Sequence, residues 1–158
     1  MASLGFTVLD RQVIDGHGTA LALHTDDVQL SYADLLEKVA AIAGALQQLG
    51  VGPGDEVALE LTARHHHVIA ALACVRLGAV PCTSGPASGP NSAVRFASET
   101  DGTYVHAADG SYDWRTMIKA GAMSPTPALD EDPDGYAELI RPAFDDILST
   151  LIAGRTVT

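Results

Sequence analysis

Three consecutive histidines, His65, His66 and His67, are the most prominent group of side chains that could do chemistry. Imidazole nitrogens bind transition metals and exchange protons near neutral pH. Neighbouring helical residues point about 100° apart, so three in a row do not face one ion. A helical metal pair needs a ligand four residues away, where Leu61 and Ile69 stand. We therefore expect an exposed first helical turn and no metal site, with a pH-sensitive contact as the alternative.

Two cysteines, Cys74 and Cys82, are the only thiols in the chain. They are too few for a disulfide scaffold and do not have zinc-ligand spacing. A cysteine nucleophile needs a basic partner, and the pattern provides none. We predict that both are small buried side chains and that they remain unbridged in a reducing cytoplasm.

Serine-triad chemistry has little support in the sequence. Ser84 is not in a Gly-x-Ser-x-Gly elbow, so a triad with His17 or His106 would rest on geometry alone. His17 stands between two glycines as a loop histidine that Asp15 could orient. The sequence therefore predicts no catalytic residue.

Length and charge narrow the class of protein. The 158 residues suffice for one domain, and 47% hydrophobic against 18% charged residues argues against a disordered chain. The net charge of −11 argues against nucleic acid or an anionic membrane as partner. Arg76 and Gly78 interrupt the longest apolar run, residues 68–80, and the N-terminus lacks a signal-peptide pattern. We expect a soluble cytoplasmic protein.

Strand and helix patterns alternate in the first half of the chain. Residues 20–24 and 28–30 predict a hairpin, and Ser31 is the expected cap of a helix over 32–49 that ends at Gly50. A strand over 57–61 follows. A second helix over 63–77, capped by Thr62 and ended by Gly78, leads to a strand over 79–83. Two strands joined through a helix predict a parallel pair, and hence an α/β fold with a small, mainly parallel sheet and flanking helices.

The second half is less regular. A strand over 103–107 precedes a short helix for which Ser111 is the expected cap, and Tyr112 and Trp114 are predicted packing residues. Residues 130–146 hold seven acids and one base, which indicates a solvated segment rather than a calcium site. We divide the chain into an α/β body over 1–120, a linker over 121–134 and an acidic helical segment over 135–158. Its last helix is expected over 144–152, with Asp145 and Asp146 in the first turn.

The runs LSYADLLEKVAAIAGALQQLGVGPGDEVALEL and HHHVIAALACVRLGAVPC contain a set of motifs that occur together in one family. Residues 8–83 resemble the N-terminal part of the adenylate-forming, or AMP-binding, superfamily, in its acyl-CoA synthetase and aryl-CoA ligase branch. The resemblance implies part of the N-terminal domain of such an enzyme, and ATP, Mg²⁺ and CoA as the family's cofactors. The motif residues are Ser31, Tyr32, Leu35, Leu49, Gly50, Val51, Gly54, Asp55, Gly78, Ala79, Val80 and Pro81.

The family's phosphate loop has only a superficial counterpart here. Residues 83–90 have its Ser- and Gly-rich composition, but Asn91 stands at the lysine position. Pro86 and Pro90 remove two N–H donors that could hold phosphate. Residues 130–140 resemble the segment that precedes the family's loop, and 144–158 resemble the segment that follows it. This pattern is either an internal deletion or chance, and we predict no cofactor for this chain itself.

Three functions remain open at this point. The first is a truncated acyl-CoA synthetase-like protein, non-catalytic alone, that acts in binding or assembly. The second is one piece of an ATP-dependent carboxylic acid–CoA ligase whose ATP chemistry lies on a partner chain. The third is a small enzyme of unrelated chemistry. We also expect a homodimer, because the apolar stripes over 35–49 and 144–152 exceed what a small sheet covers, unless the C-terminal helix folds back over them.

Overall fold

A computed structural model describes residues 3–83 and 92–158 of the chain. Helical turns of π type at Phe6–Asp10 and Val13–His17 come first. Seven strands and four α-helices follow in the described residues: β1 Leu21–His24, β2 Gln29–Ser31, α1 Tyr32–Gln48, β3 Glu56–Glu60, α2 Arg64–Leu77, β4 Val80–Cys82, β5 Ser92–Glu99, β6 Gly102–Ala107, β7 Gly110–Asp113, α3 Trp114–Ala122 and α4 Tyr136–Ile152.

The predicted hairpin and first helix are confirmed. Strands β1 and β2 pair antiparallel, and the Ser31 hydroxyl accepts a 3.1 Å hydrogen bond from the Asp34 backbone N–H at the start of α1. The helix ends at Gln48, and Gly50 turns the chain with a φ of +92°, a conformation that favours glycine.

A five-stranded sheet in the order β4-β3-β5-β6-β7 carries the body. Strands β4, β3 and β5 are parallel, β6 is antiparallel to β5, and β7 is antiparallel to β6. Four of these five strands therefore run in one direction, which confirms a mainly parallel α/β sheet. The central strand β5 was not predicted, although buried Val94 and Phe96 alternate with exposed Arg95 in the pattern of a strand.

Helix α2 is covered on every side over its last ten residues, Val68 to Leu77. Helix α1, the N-terminal segment and α4 surround it, so its apolar surface is wider than one stripe. The predicted cap at Thr62 is wrong. Ala63 occupies the cap position without a side-chain hydrogen bond, and the Thr62 N–H donates to the Ser98 hydroxyl instead.

Two predictions for the second half need correction. The predicted cap at Ser111 is wrong because Ser111 lies in β7; the Asp113 carboxylate accepts from the Thr116 N–H and caps α3. Helix α4 begins at Tyr136, eight residues before the expected start at 144. Asp145 and Asp146 therefore lie in the middle of α4 rather than in its first turn.

The C-terminal segment folds back onto the body. Its buried side chains join one apolar core that runs from Leu4 to Val157. Both helix stripes named above are therefore buried within the chain. Residues 121–134 contain the end of α3 and irregular chain, and the domain boundaries at 120 and 134 stay predictions. No helix in the described part of the chain is long and apolar enough to cross a bilayer.

Candidate functional site

The three histidines occupy the first turn of α2 but are half-buried, so the expectation of an exposed turn is wrong. Strand β6 and helix α3 close over this turn. The His66 imidazole stacks on the Trp114 indole, with ring centroids 4.1 Å apart and planes 30° apart. Its Nδ1 lies 2.8 Å from the hydroxyl oxygen of buried Thr103. His66 thus joins α2 to both β6 and α3.

The flanking histidines extend this cluster. His67 stacks on Phe144 of α4, with ring centroids 5.9 Å apart. The His65 ring lies 4.1 Å from the His66 ring, and its Nδ1 is buried with no hydrogen-bond partner among the described residues. One helical turn therefore contacts β6, α3 and α4 through aromatic rings. We call His65, His66, His67 and Trp114 the histidine cluster.

Burial lowers the pKa of all three imidazoles. For His66 the pKa falls to about 4, since burial is reinforced by the neighbouring His65 and opposed by Asp27. For His67 the repulsion of Arg64 adds to burial, and Asp146 opposes both. The cluster is therefore neutral at physiological pH. Within residues 3–83 and 92–158, no three His, Cys, Asp or Glu side chains converge to hold a metal ion.

The residues that resemble a phosphate loop fall almost wholly outside the described residues. Thr83 is exposed just after β4, and Ser84 through Asn91 are not described. Elsewhere, three surface grooves contain a cation, namely Lys38, Arg115 or Arg141, and each groove also contains at least one carboxylate. A cation beside a carboxylate leaves little net positive charge, so it does not make a strongly positive phosphate site. These three grooves therefore do not fit a triphosphate–magnesium site on their own.

The groove that contains Lys38 has a volume of about 280 Å³, lies between α1 and α3, and is lined mostly by apolar residues. The two helices approach closely because Gly121 faces α1: a Cβ atom there would lie 1.5 Å from the Ala41 carbonyl oxygen. Gly44 meets the chain after α3 in the same way. The groove is lined by Leu36, Glu37, Lys38, Ala40, Ala41, Ile118, Ala122 and Pro125.

Both cysteines are free, as predicted. Cys74 is fully buried on α2, and burial raises the pKa of its thiol. Cys82 is only half-buried in β4, so the prediction that both cysteines are buried is wrong for this one. Burial raises the pKa of its thiol, and the Glu56 carboxylate adds to the effect. A raised pKa disfavours the thiolate, so neither side chain is set up as a nucleophile.

The candidate triad residues have other partners. His17 Nδ1 lies 3.0 Å from the Gln12 side-chain oxygen, so Gln12 rather than Asp15 orients the ring. His106 is held between Ser111 and Glu99 on the exposed face of β6 and β7. Ser84 lies outside the described residues. His17 and His106 thus share no hydrogen-bond partner among the described residues.

The sequence patterns did not identify the polar contacts that join distant segments of the chain inside the fold. Arg76 is 4% exposed, and its guanidinium contacts the Asp10 carboxylate at 2.6 Å and the Thr126 carbonyl oxygen at 2.5 Å. The Asp132 carboxylate accepts from the Leu4 N–H, and its pKa is raised by burial. An arginine inside the apolar run 68–80 was the available signal. These contacts tie the N-terminal turns and residues 126–132 to α2.

Comparisons with known proteins show similarity to one family of enzymes. A family model described as AMP-binding enzyme matches residues 9–135. The chain is 33% identical over 115 residues to the acetyl-coenzyme A synthetase of Streptomyces avermitilis, which covers 70% of this chain and 18% of that protein. The Streptomyces coelicolor acetyl-coenzyme A synthetase is 32% identical over 134 residues, or 82% of this chain and 20% of that protein.

Among solved structures, apo MatB from Rhodopseudomonas palustris is similar, with 27% identity and a TM-score of 0.48 over 54% of this chain and 17% of that one. This chain thus spans about a fifth of the length of the curated relatives above. The family match covers most of the chain, from the N-terminal turns to the residue before α4. On that match, the chain belongs to the AMP-binding enzyme family.

Proposed function

We propose that this chain is an acyl-CoA synthetase-like protein that does not adenylate by itself and acts through binding or assembly. The observation that carries the proposal is the position of the C-terminal segment, which completes the core of the family-like body. A body whose inner face is covered by its own C-terminal helix is suited to act as a separate unit.

Contacts along the whole C-terminal segment support this closure. The buried Tyr136 hydroxyl, at the start of α4, donates to the Ala79 carbonyl oxygen beside β4. In the middle of α4, Asp146 pairs with Arg64 at 2.9 Å. Beyond α4, the Val157 N–H donates to the Ala22 carbonyl oxygen, and the His24 N–H donates to the Val157 carbonyl oxygen. The segment is therefore joined to β1, α2 and β4 at once.

Residue chemistry supports the absence of adenylation. Asn91 replaces the lysine that the family's phosphate loop uses to neutralise phosphate charge. An amide is neutral at every pH, so it does not supply that charge. The described grooves with cations also contain carboxylates, which repel a nucleotide triphosphate.

Acid-dependent pyrophosphate–ATP exchange tests the proposal on the purified 158-residue chain. We expect exchange at background with acetate and with longer or aromatic acids, beside the S. coelicolor acetyl-coenzyme A synthetase as a positive control. Exchange above background that depends on the added acid would contradict the proposal. Asn91→Lys is the matched variant, and we expect it to remain at background because a single lysine does not supply the other site residues.

A second function has its own support. The family match over residues 9–135 and the coverage of about a fifth of each relative favour one piece of a ligase whose ATP chemistry lies on another chain. The test is to add this chain to S. avermitilis acetyl-coenzyme A synthetase that lacks its matching segment. Recovered activity with this chain, but not with its Tyr136→Ala variant, would replace the first proposal with this one.

We also propose that assembly includes a two-fold dimer in the cytoplasm. The outer edges of β4 and β7 have no strand partner within the described residues, and unpaired edges favour pairing with another chain. Two free thiols fit a reducing compartment. Light scattering at micromolar concentration tests the dimer: we expect twice the 16.4 kDa chain mass, and a mass near 16.4 kDa would contradict it.

A further inference from the structure

The histidine cluster is the point where one turn of α2 contacts the two helices of the second half of the chain. His66 contacts α3 through the stack on Trp114, and His67 contacts α4 through the stack on Phe144. His65 packs against His66 from the same turn. Helices α3 and α4 therefore each contact α2 through a ring that can change its charge.

The polar atoms of the cluster favour uncharged imidazoles, most clearly at His65. The Thr103 hydroxyl can donate to His66 Nδ1 only while that nitrogen carries no proton. The buried Nδ1 of His65 has no partner among the described residues. A proton on His65 Nδ1 would give a buried N–H in a charged ring, which is costly without an acceptor. A proton on His66 Nδ1 would reverse the hydrogen bond, with the Thr103 hydroxyl oxygen accepting, and would place a charge on a half-buried ring.

Charged groups on several elements surround the cluster, and their effects on the protonation of its imidazoles oppose one another. On α2 itself, Arg64 disfavours a charge on His67; on α1, Lys38 disfavours a charge on His65. Asp27 in the hairpin favours charged His65 and His66, and Asp146 on α4 favours charged His67. The side chains that contact the cluster from β6 and α3, Thr103 and Trp114, carry no charge. The first turn of a helix adds a further penalty for cations.

We propose that the histidine cluster is an acid-released latch: neutral imidazoles hold α3 and α4 against α2, and protonation in mildly acidic conditions loosens both helices. This inference is independent of the proposed function, since it concerns the folded chain alone. It requires no ligand, and the groups that change charge are those that make the contacts.

The direction of the pH effect follows from linkage. The ordinary histidine pKa of 6.5 applies to the unfolded chain, and the folded pKa of His66 is about 4. Protons therefore bind the unfolded chain more readily. The contribution of neutral His66 is fully present above pH 6.5 and is lost as the pH falls from 6.5 towards 4. His65 and His67 act in the same direction.

Trp114 offers a direct readout because it is the chain's only tryptophan and lies against His66. We would follow its fluorescence in the full chain from pH 8 to pH 4, with His66→Gln as the test variant and His24→Gln as the control at an exposed histidine. We expect a transition below pH 6.5 in the natural chain and in the control. In His66→Gln its midpoint should lie lower by at least about half a pH unit. An unchanged midpoint would overturn the proposal.

A titration of the natural chain keeps the proposal testable if His66→Gln does not fold. Imidazole resonances followed by NMR should give a His66 pKa well below 6.5, with amides of α3 and α4 losing protection from hydrogen exchange over the same pH range. A protonated His66 could instead be held by a cation–π attraction to Trp114. In that case its pKa would be at or above 6.5, and the latch would be disproved.

Discussion

The hydroxyl of Tyr136 donates a 2.5 Å hydrogen bond to the carbonyl oxygen of Ala79, which joins the first residue of α4 to the chain entering β4. The same hydroxyl lies 3.4 Å from the Cys74 carbonyl oxygen at the end of α2. Both acceptors belong to the βαβ unit β3-α2-β4. Tyr136 therefore helps to connect the end of the family-matched region to the rest of the core.

Tyr136→Phe should reduce the free energy of unfolding by about 1–3 kcal/mol, because it removes a donor from a buried carbonyl and leaves the ring in place. Urea unfolding of both proteins measures the difference. Tyr104→Phe is the matched control: its hydroxyl bonds to Asp101 at the surface, and we expect a change within about 0.5 kcal/mol. Equal effects of the two variants would argue against a special role for Tyr136.

The sequence predicted the first half of the fold well because local patterns and tertiary packing agree there. Ser31 caps α1, Gly78 ends α2 with a φ of +73°, and the parallel pair β3-β4 follows from them. Helix α4 was predicted too short. Its apolar stripe continues through Ile140 and Tyr136. Pro142 and the neighbouring aspartates have low helix propensity, so the sequence pattern did not indicate a helix there.

The histidine cluster could not be predicted from the sequence because its burial is a tertiary effect. The triplet starts a helix, a position that is usually solvated. Thr103 and Trp114 cover the triplet, and these residues lie about 40 and 50 positions further along the chain. The same applies to Arg76, whose partner Asp10 precedes it by 66 residues. A charged residue within an apolar run indicates a buried ion pair, but the sequence pattern does not identify its partner.

The Arg76–Asp10 ion pair gives a prediction about stability. Asp10→Ala leaves a guanidinium that is 4% exposed without its carboxylate, and we expect a loss of about 3–5 kcal/mol in the free energy of unfolding. Glu60→Ala, which breaks the exposed pair with Arg95, is the control and should cost less than about 1 kcal/mol. Chemical denaturation measures both. A loss below that of the control would show that Arg76 is solvated.

The two thiols should react at different rates in the native chain. Cys74 is fully buried and Cys82 is half-buried, so a thiol reagent at pH 8 should modify Cys82 first and Cys74 only after unfolding. Counting under denaturing, non-reducing conditions should find two free thiols. Cys82→Ser is the control, and its native form should show almost no fast reaction. A count of zero in freshly prepared protein would show a disulfide and contradict the structure.

The close approach of α1 and α3 depends on Gly121. A Cβ atom at this position would lie 1.5 Å from the Ala41 carbonyl oxygen and 2.4 Å from its carbon, both on the backbone, which does not turn aside as a side chain would. Gly121→Ala should therefore push α3 away and lower the free energy of unfolding by about 3 kcal/mol or more, at the upper end of overpacking costs. Gly52→Ala is the matched control, since a Cβ atom there meets only the Asp55 carboxylate at 4.0 Å. Thermal unfolding should show a clearly lower midpoint for Gly121→Ala and little change for Gly52→Ala. If Gly121→Ala kept the natural midpoint, the packing of α3 on α1 would not depend on the missing side chain at this position.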